Sequence, residues 1–191
     1  AKNASGGVLI PEQACFDVES YRLTLHVYPD TKSVAGQLQM VANTTVPTGR
    51  IALDLDERLK VTAVRWDADR APPLNYRHKD GRVWIDLDRT LPAGESFSIA
   101  VDYTGIPREA PRPPWDGGFT WETTEDGQSW IATSCQGEGA DLWWPCKDHP
   151  SDKAESIELV ITVPDDLVCA SNGLLQDCLL YTSDAADENP S

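Results

Sequence analysis

The sequence predicts an all-β fold, an antiparallel β-sandwich. Three observations carry that expectation. Apolar residues alternate with polar ones at period two in several short runs. Turn signals separate those runs every 8–12 residues or so. No stretch sustains the 3.6-residue period of an amphipathic helix.

Residues 1–11 read as a loose lead-in, ahead of a domain over 12–177. Tyr21, Leu23, Leu25 and Val27 alternate with Arg22, Thr24 and His26, which predicts a half-buried strand. Pro29-Asp30 supplies a turn, and Val34, Leu38, Met40 and Ala42 continue as the second arm of a hairpin. Ile51, Leu53 and Leu55 alternate with Ala52, Asp54 and Asp56. Val61 to Trp66 predicts another strand, and 67–75, with Pro72 and Pro73, a loop. Asp80-Gly81 is a type I′ turn signal before Val83, Ile85 and Leu87. A turn at Leu91-Pro92-Ala93-Gly94 leads to a strand on Phe97, Ile99, Val101 and Tyr103. Residues 105–118 hold four prolines and three glycines, which excludes a central strand. Trp121 and Trp130 flank a tight turn at Asp126-Gly127. Ile157, Leu159, Ile161 and Val163 alternate until Pro164, and Leu167 to Ala170 is expected to be a last short strand.

The chain has 191 residues, with 31 Asp and Glu against 16 Lys and Arg and a formal net charge of −15. That balance speaks against a nucleic-acid surface and against docking on anionic lipid. No apolar run approaches the roughly 20 residues of a membrane span. The five cysteines, Cys15, Cys135, Cys146, Cys169 and Cys178, show no C-x-x-C spacing. Buried free thiols are the favoured reading, with a Cys135–Cys146 bridge as the alternative. His26, His78 and His149 are followed by VYPD, KDGR and PSDK, so none opens a His-Glu-x-x-His zinc motif.

Residues 134–154, SCQGEGADLWWPCKDHPSDKA, fit no strand pattern. A long irregular segment inside a compact β domain is usually functional. Gln136 presents an amide suited to a ligand, and Glu138 a carboxylate suited to an amine. Asp148 is expected to cap the local turn through backbone N–H groups.

This segment resembles the N-terminal domain of the aminopeptidase N family, the zinc gluzincin aminopeptidases that include leukotriene hydrolase. The matching residues are Gln136, then Pro145-Cys146-Lys147-Asp148-His149-Pro150, then Lys153. Upstream, Pro114 to Trp121 (PWDGGFTW) is similar to the Gly-Gly-aromatic segment of secreted bacterial members. Downstream, Val163-Pro164-Asp165-Asp166-Leu167 and Ser171-Asn172-Gly173 match the family's ending, and the likeness covers about residues 16–177. It implies a saddle-like β-sandwich packed on a thermolysin-like catalytic domain that holds zinc and removes N-terminal residues from peptides. It implies that Gln136 contacts the substrate's N-terminus, with Glu138 able to share the amine. It favours an extracytoplasmic address, periplasmic or secreted. Many members carry Arg where this chain has Asp141, so Trp143 and Trp144 are expected to hold the loop instead. The zinc motif of the family is missing, so this chain alone is expected to bind no metal and hydrolyse nothing.

Residues 178–188, CLLYTSDAADE, resemble the translation of a sequencing-library adapter, so 178–191 is expected to be a non-native tail. A domain cut there is expected to lack its last strands and to be poorly stable alone. The competing function is a stand-alone β-sandwich module that stacks sugars or peptides on Trp115, Trp121, Trp143 and Trp144.

Overall fold

The computed structural model describes residues 5–67 and 72–178. The expected tail therefore lies, apart from Cys178, outside the described residues. After a short helical turn α1 (Pro11–Ala14), ten strands follow: β1 (Phe16–Tyr28), β2 (Ser33–Thr44), β3 (Thr48–Asp54), β4 (Leu59–Trp66), β5 (Asn75–Lys79), β6 (Arg82–Leu91), β7 (Ser96–Gly105), β8 (Gly118–Thr123), β9 (Ser129–Ser134) and β10 (Ser156–Thr162). They form a five-stranded sheet in the order β10-β1-β2-β7-β4, a three-stranded sheet β3-β6-β5 and a β8-β9 hairpin.

The core lies between the first two sheets, as a sandwich requires. Leu23 and Leu25 of β1, Leu38 and Met40 of β2, and Ile99 and Val101 of β7 share it with Ile51 and Leu53 of β3 and Val83 and Ile85 of β6. The apolar positions read from the sequence are the ones turned inward in β1, β2, β3, β6 and β7, whereas in β10 Ile157 is 49% exposed and Leu159 and Ile161 are half-buried. Asp80 and Gly81 both take positive φ, 56° and 72°, and join β5 to β6 as the two-residue turn that DG signals.

Three expectations change. Asn75, read as the end of a loop, opens strand β5 (Asn75–Lys79), which the sequence reading left unassigned; its polar residues sit on a sheet edge, where no apolar alternation is needed. Leu167 to Ala170 forms no strand, and Val168 is 95% exposed. Strand β10 runs parallel to β1, from Ser20↔Ser156 to His26↔Thr162, so the sandwich is antiparallel except at this pair. Asp54 and Asp56 do not face solvent: both faces of β3 are covered, and Ala52 is as buried as Leu53.

Tyr103 shows the cost of tight packing. Its ring lies over Gly36, where any side chain would collide with it. Its hydroxyl is buried and has no hydrogen-bond partner among the described residues. Tyr103→Phe removes that unsatisfied oxygen, so a neutral or slightly stabilising change, up to about 1 kcal/mol, is expected. The urea midpoint checks it, and a loss above that size would mean that the hydroxyl is bonded.

Candidate functional site: the loop between β9 and β10

Residues 135–155 cross from β9 to β10 over the outer face of β3. A 3-10 turn, Ala140–Leu142, breaks the crossing. The loop joins β3 through a bridge in which Asp54 N–H donates to Cys146 O (2.7 Å) and Cys146 N–H donates to Asp54 O (3.1 Å). Asp56 N–H donates to Asp141 O at 2.8 Å. These bonds satisfy backbone groups that burial would otherwise orphan.

The Asp54 carboxylate is the hub beneath the loop. Gln13 Nε2 of α1 donates to it at 2.6 Å, Asp148 N–H at 3.1 Å, and Arg82 Nε of β6 at 3.3 Å. Burial raises its pKa, and these three donors act against that rise.

The two tryptophans do hold the loop. Trp144 is 7% exposed and meets Tyr21 edge-on at 5.1 Å. Trp143 packs edge-on against Phe119 at 6.3 Å and donates its indole N–H to Cys135 Sγ at 3.2 Å. A second anchor was invisible in the sequence. Lys147 and Asp152 form an ion pair at 2.5 Å with both side chains 4% exposed. Lys147 Nζ also donates to Phe16 O and lies 4.7 Å from the Phe16 ring centroid. Val18 N–H donates to Asp152, and Lys147 N–H donates to Tyr21 Oη. Five groups thus fasten the loop to β1.

Gln136 is exposed, in a turn where Cys135 O accepts from Glu138 N–H and Gly139 N–H. Glu138 is half-buried and paired on one oxygen: Arg108 Nη1 donates to its Oε2 at 2.5 Å, with the Arg108 side chain 16% exposed. Glu138, Asp141, Asp148 and Asp54 line one recess of about 780 Å³, and Gln136 is outside that lining. The structure therefore separates the two sequence-named residues. Asp148 caps no backbone N–H among the described residues; its Oδ1 accepts from Ser5 Oγ (3.2 Å), and its carbonyl accepts from Gly6 N–H. The N-terminal lead-in fills the capping role from outside the turn.

All five cysteines are free thiols. Burial raises the pKa of Cys135 and, much further, that of Cys146, so both stay protonated and are poor nucleophiles. The four tryptophans of the stacking alternative do not form one platform. Trp144 is core, Trp121 and Trp143 pack against the core, and Trp115 stands alone at 74% exposure. Among the described residues, no cluster of three or more His, Cys, Asp and Glu could hold a metal ion. The residues present do not fit the zinc that the resemblance implies.

A two-sheet β domain with one heavily anchored loop is the class that these features define. Residues 17–184 match the family model of the Peptidase M1 N-terminal domain, and the chain belongs to that family. Solved structures agree. A Deinococcus radiodurans M1 zinc metallopeptidase mutant bound to a Tyr-Ser-Ala substrate matches with TM-score 0.70 and 29% identity, over 86% of this chain and 36% of that one. The M1 zinc metallopeptidase from the same organism matches with TM-score 0.62 and 27% identity, over 78% and 32%. A two-domain M1 zinc metallopeptidase mutant bound to L-arginine gives 0.63 and 29%, over 78% and 33%. The chain thus spans about a third of those proteins' length. A comparison with curated proteins finds no match.

Proposed function

We propose that this chain is the substrate-anchoring domain of a zinc aminopeptidase that removes N-terminal residues from peptides. In this reading the Gln136 amide oxygen accepts hydrogen bonds from the substrate's α-ammonium, as charge-assisted bonds favour. The chemistry belongs to a thermolysin-like catalytic domain, since the zinc motif does not occur in this sequence. The observation that carries the proposal is the contrast along one loop. Lys147, Asp152, Trp143 and Trp144 are fixed, while Gln136 is offered to solvent. A rigid support under an exposed polar group is what positioning a ligand requires. Glu138, which holds Arg108 on one oxygen, is able to share the amine through the other.

The test is Gln136→Ala in the full-length enzyme. A hydrogen bond to a charged group contributes about 1.5–3 kcal/mol, so kcat/KM for a tripeptide is expected to fall about tenfold to a hundredfold. The melting temperature should not move, because the side chain is exposed. An unchanged kcat/KM would sink this role for Gln136.

A further inference from the structure

Asp141 is the one acid of the recess whose surroundings do not suit a charged carboxylate. The cations nearby are committed elsewhere. Arg82 pairs with Asp54 at 3.3 Å, Arg58 with Asp56 at 3.0 Å and Arg108 with Glu138 at 2.5 Å. His149 Nδ1 is bonded to Ser151 Oγ at 2.7 Å. The remaining charged groups of the recess, Glu57 beside β3 and Asp80 in the β5–β6 turn, are acids, and Gln13 from α1 is neutral. Asp141 Oδ1 is shut off from solvent and has no hydrogen-bond partner among the described residues.

Asp148 comes to the same place. A Cβ built on Gly139 would lie 2.2 Å from Asp148 Oδ2 and 2.6 Å from Asp141 Oδ1, so the two carboxylates face the same small space. A second carboxylate within about 4–6 Å disfavours ionisation of the first, and more so where burial already does. A proton on the pair also supplies the donor that Asp141 Oδ1 otherwise lacks.

We propose that Asp141 and Asp148 share a proton and form a pH-operated latch, closed when protonated, that holds the Gly139 turn and with it the position of Gln136. Burial first, and then Asp148, Asp54 and Asp56, push Asp141 up to about 7. The proton leaves to solvent on opening, and repulsion between the two carboxylates then spreads the turn. The latch does not depend on what Gln136 touches, so it stands or falls separately from the aminopeptidase reading.

The linkage has a definite sign. The folded carboxyl binds its proton more tightly than the unfolded one, whose pKa is 3.8. Stability from this pair is therefore complete below about pH 4 and is lost as the pH rises through about 7. The experiment is carbon-13 NMR of Asp carboxyls in the full chain between about pH 3 and 9, with backbone amide shifts followed alongside. Asp141 is expected to titrate near neutrality, and the amides of Gln136 to Gly139 to move with it. Asp141→Asn keeps a donor and removes the titration, so those amide movements should vanish. Asp148→Asn should tighten ionisation, lowering the Asp141 midpoint so that its proton affinity falls at least tenfold. The latch is overturned if Asp141 titrates below about pH 5 like an ordinary carboxylate, if the amide movements persist in Asp141→Asn, or if they coincide with global unfolding seen by circular dichroism.

Discussion

Replacing Lys147 with methionine is expected to destabilise the chain by about 3–5 kcal/mol, the usual cost of breaking a buried ion pair from one side. Methionine keeps most of the length and the apolar stem. It removes the charge that lies 2.5 Å from Asp152 and the donor to Phe16 O. What remains is the Asp152 carboxylate, 4% exposed, with the Val18 N–H as its remaining donor. An uncompensated buried anion is the expensive part. In a chain of this size the loss corresponds to roughly 10 °C in melting temperature. Urea unfolding reads it directly. The double variant Lys147→Met, Asp152→Asn should recover part of the loss, because the buried charge goes as well. A single-variant loss under about 1 kcal/mol would mean that the pair is solvated, as exposed pairs are.

The second large effect is at Gly139. Its φ is 95°, a conformation that a side chain adopts at a cost of roughly 1–2 kcal/mol. The new methyl group of Gly139→Ala would also enter the space held by Asp148 Oδ2 and Asp141 Oδ1. Overpacking of that kind adds about 1–3 kcal/mol, so a loss of about 2–5 kcal/mol is expected. Gly137 is the internal comparison. Its φ of 77° is similar, but nothing lies within 4 Å of a Cβ there. Gly137→Ala should therefore cost only the backbone part. Equal losses at the two positions, in urea titrations run side by side, would show that crowding at the carboxylates contributes nothing.

These two residues also show where the sequence could be read and where it could not. Alternation located β1, β2 and β7 because each of them turns one face to a core, and side chains of period two record that directly; it located β10 too, although that strand is at most half-buried. The DG turn was legible because its chemistry is local. The edge strand β5 was not, since Asn75, Tyr76, Arg77, His78 and Lys79 bury almost nothing. The burial of Asp54 and Asp56 was not legible either: the β9–β10 loop bonds both residues, and nothing in the period reports a contact from some 90 residues away. Lys147 was least legible of all. Lysine is almost never fully buried, and its acid partner lies five residues on, in a segment with no regular period to place the two side chains together. The resemblance reached Gln136 by motif, but the arginine that occupies Glu138 sits 30 residues upstream in a proline-rich stretch that carries no pairing signal.

The parallel partnership of β1 and β10 has a consequence in time. Ser20 and Ser156 are about 140 residues apart in the chain. The β1–β2 hairpin closes locally and needs only the turn at Pro29–Thr31. The opposite edge of β1 must wait for β10, and pairings this distant in sequence close slowly. At ribosomal speeds of roughly 5–20 residues per second, that edge stays bare for roughly 7–30 seconds after β1 has emerged. During that interval β1 presents open backbone donors and acceptors to any extended peptide in reach. The margin that β10 covers in the finished protein is thus open during synthesis.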